Sequence, residues 1–159
     1  MSSRSCNSAL RGALMSRYRE TGMPRIKGIA HIELSVSNLD TSASWYAALL
    51  GATETFRAAN DAEDIVACAL GEPVSGMVIA FTQHGRMEGG SFTPRRVGLD
   101  HLAFGVADEA ELEAWRARLD ELRIPHGEIN DYGYGLAITL QDPDGIALEF
   151  ICPPRKTRS

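Results

Sequence analysis

The sequence predicts an α+β protein made of two paired βαβββ modules, and three observations predict it. The stretch Gly28-Ile29-Ala30-His31-Ile32-Glu33-Leu34-Ser35-Val36 returns seventy positions later as Gly98-Leu99-Asp100-His101-Leu102-Ala103-Phe104-Gly105-Val106. The register then holds into the next element, where Trp45, Ala47 and Leu49 fall on Trp115, Ala117 and Leu119. Each copy is followed by three further β-prone segments broken by turn residues. A repeat of this length sets the architecture before any single element is assigned.

Residues 1–26 are rich in Ser and Arg and lack the apolar core of a secretory signal, so they read as a flexible tail. Residues 28–36 alternate in the period of a strand. Ser37-Asn38-Leu39-Asp40 is a turn ending in helix-capping residues, and residues 41–50 form a helix with Trp45, Leu49 and Leu50 on one stripe. Gly51 stops it. Strands are expected at 52–58, 64–70 and 76–83, separated by Asn60-Asp61 and Gly71-Glu72-Pro73. Module one therefore spans 27–84. Residues 85–96, glycine-rich and basic, are a linker.

Module two spans 97–152. A strand at 98–106 precedes a helix at about 108–122, whose Leu112, Trp115, Leu119 and Leu122 share a face and which Pro125 ends. Strands follow at about 126–130, 135–141 and 145–151, with the loop Asp131-Tyr132-Gly133-Tyr134-Gly135 and the turn Asp142-Pro143-Asp144-Gly145 between them. Residues 153–159 are a basic tail.

Composition narrows the function. A net charge of −5 on 159 residues argues against a nucleic-acid binder held by phosphate contacts. The first 26 residues carry Arg4, Arg11, Arg17, Arg19 and Arg25 against Glu20, so the remaining chain is more acidic still. No apolar run approaches the roughly 20 residues of a membrane helix. Cys6, Cys68 and Cys152 are odd in number and widely spaced, which suits free thiols in a reducing cytoplasm rather than a disulfide framework.

On a strand alternate side chains share a face. His31, Glu33 and Ser35 thus lie opposite the apolar Ile32, Leu34 and Val36, and His101, Ala103 and Gly105 lie opposite Leu102, Phe104 and Val106. The apolar set must meet its module's helix, so both histidines fall on the concave face. Glu149 is the one charged residue of an otherwise apolar last strand, where a carboxylate is costly unless paired or bound to a cation. Two histidines and a glutamate match a facial triad with open coordination positions. Glu33, two residues beyond His31, and Tyr132 and Tyr134 on their glycine-flanked loop are candidate catalytic groups.

The His31 strand with Ser-Asn-Leu-Asp and Trp45-Tyr46, the segment Leu99-Asp100-His101-Leu102-Ala103-Phe104, and Asp142-Pro143-Asp144-Gly145-Ile146-Ala147-Leu148-Glu149-Phe150 together resemble the vicinal oxygen chelate superfamily. That family includes glyoxalase I, extradiol dioxygenases, methylmalonyl-CoA epimerase, fosfomycin-modifying enzymes and bleomycin-resistance proteins. The resemblance covers residues 27–152. It implies paired modules curving into a cup-shaped mixed sheet with the helices on the convex side, a homodimer, and a divalent metal (Fe, Mn, Zn or Ni) on His31, His101 and Glu149. Glyoxalase I-like members take a fourth ligand, usually glutamate, from the last strand of module one. Ala80 stands there, and alanine cannot ligate. The expected function is a cytoplasmic metalloenzyme that chelates a small oxygen-bearing substrate, of dioxygenase, isomerase or lyase, or thiol-transferase type. The competing expectation is a metal-free drug-binding protein of the bleomycin-resistance type.

Overall fold

The computed structural model describes residue 24 and residues 26–88 and 91–154, so most of the expected 1–26 tail and residues 155–159 lie outside the described residues. The chain divides into two units, Met1–Ala30 and His31–Ser159. In the first, residues 26–30 carry neither helix nor strand. The second holds both modules. Module one is β1 (Ile32–Ser35), α1 (Leu39–Leu50), β2 (Thr53–Asn60), β3 (Ile65–Gly71) and β4 (Val78–His84). Module two is β5 (Leu102–Gly105), α2 (Glu109–Glu121), β6 (Asn130–Asp131), β7 (Leu136–Gln141) and β8 (Ala147–Cys152).

Each module forms a four-stranded mixed sheet, in the orders β1-β4-β3-β2 and β5-β8-β7-β6. The first strand of each pairs in parallel with the last, while the others are antiparallel. The predicted βαβββ plan is therefore the observed one. Leu34, Val36, Cys68, Leu70, Ile79 and Phe81 pack beneath α1, and Leu136, Ile138, Leu140, Leu148 and Phe150 beneath α2, within one apolar cluster. Trp115 stacks on Phe150 with ring centroids 4.1 Å apart.

Local chemistry explains the helix ends. The Asn38 side chain accepts a hydrogen bond from the Thr41 N–H at 2.8 Å, so α1 begins two residues before its expected start. Gly51, at φ 64°, ends it in the left-handed region. α2 begins after Asp108, which caps the Glu111 N–H. It ends before Pro125 can act: Arg123 turns left-handed at φ 55°, and the Ile124 N–H donates back to the Leu119 carbonyl at 2.9 Å.

The expected strand at 126–130 is the main difference. Only His126 forms a bridge, to Leu140, and regular pairing begins at Asn130. The Asn130 amide donates to the Glu128 carbonyl, a local bond that competes with a ladder.

Asp142 joins the modules. Its Oδ1 accepts from the backbone N–H groups of Asp144 and Ile146 at 2.9 and 2.7 Å, shaping the turn before β8. Its Oδ2 accepts from the Tyr46 hydroxyl of α1 at 3.2 Å. Burial raises the Asp142 carboxyl above its ordinary range, against the backbone donors that lower it. Burial and the neighbouring carboxylate together push the Tyr46 hydroxyl far up. Nearby, the Ser37 N–H donates to Asp144 Oδ2 at 3.0 Å. Replacing Tyr46 by Phe leaves a buried acceptor short of one donor. Urea unfolding of Tyr46→Phe is expected to show a loss of about 1–2 kcal/mol with an unchanged m-value. An unfolding curve superimposable on that of the parent would remove this bond from the account of module docking.

Candidate functional site

The register fixes which side chains share the face away from each helix. In module one Glu33 pairs with Ala80 and Ser35 with Thr82. Ala80 in turn pairs with Ala69, and Ala69 with Phe56; Thr82 pairs with Ala67, and Ala67 with Ala58. This face is a low floor of alanines flanked by Phe56, with Glu33, Ser35 and Thr82 along its β1–β4 side and Asn60 and His84 at its end. In module two Ala103 pairs with Glu149, and Glu149 with Thr139.

His31 and His101 each stand one residue before their strand. His31 Nε2 lies 3.8 Å from Glu33 Oε2, both side chains being about half exposed, at 55 % and 47 %. The other Glu33 oxygen accepts a hydrogen bond from the Thr82 hydroxyl, and Thr82 is buried. His101 Nδ1 lies 2.7 Å from Asp100 Oδ1, a contact in which the ring donates to the carboxylate; in the neutral ring that tautomer carries its lone pair on Nε2. Strand alternation alone does not single out Asp100, although an acidic neighbour of a ligand-type histidine is a legible signal. Thr82 gives no such signal, because only the parallel pairing of β1 with β4 brings it to Glu33.

Glu149 is buried, at 8 % exposure, and has no hydrogen-bond or ion-pair partner among the described residues. Its carboxylate oxygens are not among the buried unpartnered atoms, so they stand accessible on this face, and an accessible carboxylate without a protein partner is the observation that most favours a cation here. His101 precedes by two residues Ala103, the register partner of Glu149, so these two donors share one face of one sheet. Among the described residues, however, no three His, Cys, Asp or Glu side chains are gathered closely enough to hold a metal ion. The donor set is divided between the modules, His31 with Glu33 on one and His101 with Glu149 on the other. Each half has donors of the right chemistry for a divalent cation.

Tyr132 and Tyr134 lie between β6 and β7 with ring centroids 6.0 Å apart, 46 % and 68 % exposed. Bonds from the Tyr132 N–H to the Gly135 carbonyl and from the Gly133 N–H to Asp131 Oδ1 shape their loop. They flank the Leu136↔Cys152 rung, three residues from the Thr139↔Glu149 rung, or about 10 Å along the strand. They are rim residues. His84 ends β4 and is exposed, as are Arg95 and Arg96.

A separate cleft of about 710 Å³ is lined by Trp45, Pro125, His126, Gln141, Pro143 and Ala147 among others. Trp45 is therefore only partly a core residue. His126 is largely covered, its side chain 15 % exposed. Its Nδ1 faces the Gly127 carbonyl at 2.8 Å and its Nε2 faces Asp120 Oδ1 at 3.2 Å. Two acceptors favour the doubly protonated ring, and the His126 pKa is raised, chiefly by the Gly127 carbonyl with Asp120 assisting. A raised folded-state value means that this stabilisation is complete below the unfolded value of about 6.5 and is lost as pH rises through the folded one. The stability difference between the parent and His126→Gln, from urea midpoints, is expected to be largest near pH 5.5 and to shrink by pH 9. A constant difference would refer the effect to packing.

A family model described as the Glyoxalase/Bleomycin resistance protein/Dioxygenase superfamily matches residues 28–150. Among solved structures, a glyoxylase/bleomycin resistance protein/dioxygenase domain from Frankia sp. EAN1pec superposes with TM-score 0.73 at 28 % identity, covering 81 % of this chain and 99 % of that one. A glyoxalase family protein from Enterococcus faecalis gives 0.64 at 23 %, covering 79 % and 98 %. The fosfomycin resistance protein FosX from Listeria monocytogenes, complexed with Mn(II) and sulfate ion, gives 0.59 at 19 %, covering 80 % and 93 %. The last two likenesses carry the fold alone. No curated protein matches the sequence.

Proposed function

The chain belongs to the Glyoxalase/Bleomycin resistance protein/Dioxygenase superfamily, and on that premise we propose that it is a divalent-metal enzyme acting on a small oxygen-bearing substrate. His31, His101 and Glu149 are its metal ligands. The single observation that carries this reading is the Glu149 carboxylate, which has no hydrogen-bond or ion-pair partner among the described residues and lies on the same sheet face as His101. The Mn(II) in the FosX structure accords with it. A bound divalent ion would supply Lewis acidity toward two adjacent substrate oxygens.

The chain's own groups do the rest. Asp100 holds His101 in the tautomer whose Nε2 is free to ligate. Thr82 pins one oxygen of Glu33 and leaves the other for proton exchange with substrate. The alanine floor of module one leaves room for the substrate's carbon skeleton. Tyr132 and Tyr134, at the rim, bind a polar substituent.

Because the donors of one chain are divided between its modules, the site is completed by a second copy, module one of one chain facing module two of the other. β1 and β5 each end their sheet with an unpaired edge available for such pairing. The protein is thus a homodimer working in the cytoplasm. The competing reading, a metal-free binder of an apolar or aromatic compound, takes its support from that same division and from the alanine floor.

Protein purified without chelators is expected to hold close to one equivalent of divalent metal per chain, and Glu149→Ala none. Sedimentation is expected to give a dimer. A parent protein that takes up no Fe(II), Mn(II), Zn(II) or Ni(II) would replace the enzyme reading by the ligand-binding one.

A further inference from the structure

The cleft of about 710 Å³ is lined by none of His31, Glu33, His101 and Glu149. Small-molecule sites occupy roughly 300–1,000 Å³, and this one falls among them. α1 contributes Trp45, the connector after α2 contributes Pro125 and His126, β7 contributes Thr139 and Gln141, and the turn before β8 contributes Pro143. The polar groups that build the cleft differ from those left over in it. His126 directs both ring nitrogens at Gly127 and Asp120, and Asp142 is met by Tyr46 and two backbone N–H groups, so the walls are fixed without a ligand. The Trp45 indole N–H, the Thr139 hydroxyl and the Gln141 amide have no hydrogen-bond partner among the described residues, and each is accessible. A Cβ at Gly127 would stand 3.0 Å from Thr139 Oγ1, so glycine there keeps space beside the hydroxyl. Among the described residues the ring in contact with Trp45 is Tyr46, edge-on at 77° with centroids 4.9 Å apart, and no ring is stacked on its faces.

We propose that this cleft is a second ligand site, and that it takes a flat, uncharged heteroaromatic ring with an amide-like edge, of the nucleobase kind, stacked on Trp45 and read at its edge by Gln141 and Thr139. A side-chain amide offers a donor and an acceptor side by side, which is the complement of such an edge. Indole supplies a stacking surface for it. Charge selects the neutral ligand. The lining holds both the His126 ring, whose two acceptors favour the imidazolium, and the Asp142 carboxylate, with Asp120 against His126. A cation meets the first and an anion the other two, and no Lys or Arg lines the cleft to hold a phosphate. A purely apolar ligand would take water from the three leftover polar groups without replacing its hydrogen bonds. The proposal does not rest on the metal reading.

The test uses the full chain with a chelator present, so that no metal takes part, and hypoxanthine as the probe, followed by calorimetry and tryptophan fluorescence. Hypoxanthine is expected to bind once per chain and to quench the emission. Trp45→Phe keeps a ring in place and is expected to bind while losing the quench, because Trp115 is stacked on Phe150 and does not line the cleft. Trp45→Leu is expected to weaken binding by about tenfold or more. Gln141→Leu, an exposed position that keeps the side chain's size, carries the test should Trp45→Leu fold poorly, and is expected to weaken binding by at least about fivefold. No binding by the parent at millimolar hypoxanthine overturns the proposal. Binding that Gln141→Leu leaves within about twofold, with the quench kept in Trp45→Phe, puts the ligand elsewhere and overturns it too. Naphthalene bound as tightly as hypoxanthine overturns the edge reading, and inosine 5′-monophosphate bound more tightly overturns the selection for a neutral ligand.

Discussion

The buried carboxylate of Asp142 is the constraint on which the site depends. It accepts from two backbone N–H groups of the turn leading into β8 and from the Tyr46 hydroxyl on the other module's helix. A buried charge is tolerable only when its lone pairs are met, and here three donors converge on it. The turn in turn sets the register of β8, and the register sets the face on which Glu149 lies. A slip of one residue would send Glu149 into the apolar layer beneath α2 and Phe150 to the opposite face.

The two carboxylates near the β-sheet faces have opposite circumstances. Asp142 is satisfied by the protein and serves the fold. Glu149 is as little exposed as a residue, but its carboxylate oxygens are not buried and have no such partner among the described residues. The contrast within one short segment is physical grounds for separating a structural acid from a functional one. Motif recognition treats Asp142-Pro143-Asp144-Gly145-Ile146-Ala147-Leu148-Glu149 as a unit, whereas hydrogen-bond accounting assigns its two ends different work.

Module one keeps the histidine position of the repeat but not the glutamate of the last strand: Ala80 stands there, across the rung from Glu33, and the neighbouring positions Ala67, Ala69 and Ala58 are alanines. Thr82 and Ala80 are unremarkable in sequence, yet the parallel β1–β4 ladder places them against Glu33. Asp100, by contrast, is adjacent to His101 in the chain, so its pairing is legible from the sequence alone.

The sequence by itself determined the architecture. Periodicity, the repeat and the turn residues are local signals, and local signals specify which segments become strands and helices and which face each buries. They also specified the candidate donors, His31, His101 and Glu149, since alternation along a strand decides a side chain's face. They gave the end of α2 to within a residue but not what stops it, since the left-handed Arg123 acts before Pro125, and they did not foresee the loss of a strand at 126–130, where the Asn130 side chain bonds locally to the Glu128 carbonyl. Only the tertiary structure decided which residues from distant segments meet: Tyr46 with Asp142, Thr82 with Glu33, His126 with Asp120. It also decided that the donors of one chain fall into two pairs. Proximity across sheets depends on register and packing between segments tens of residues apart, and no periodicity along the chain encodes it.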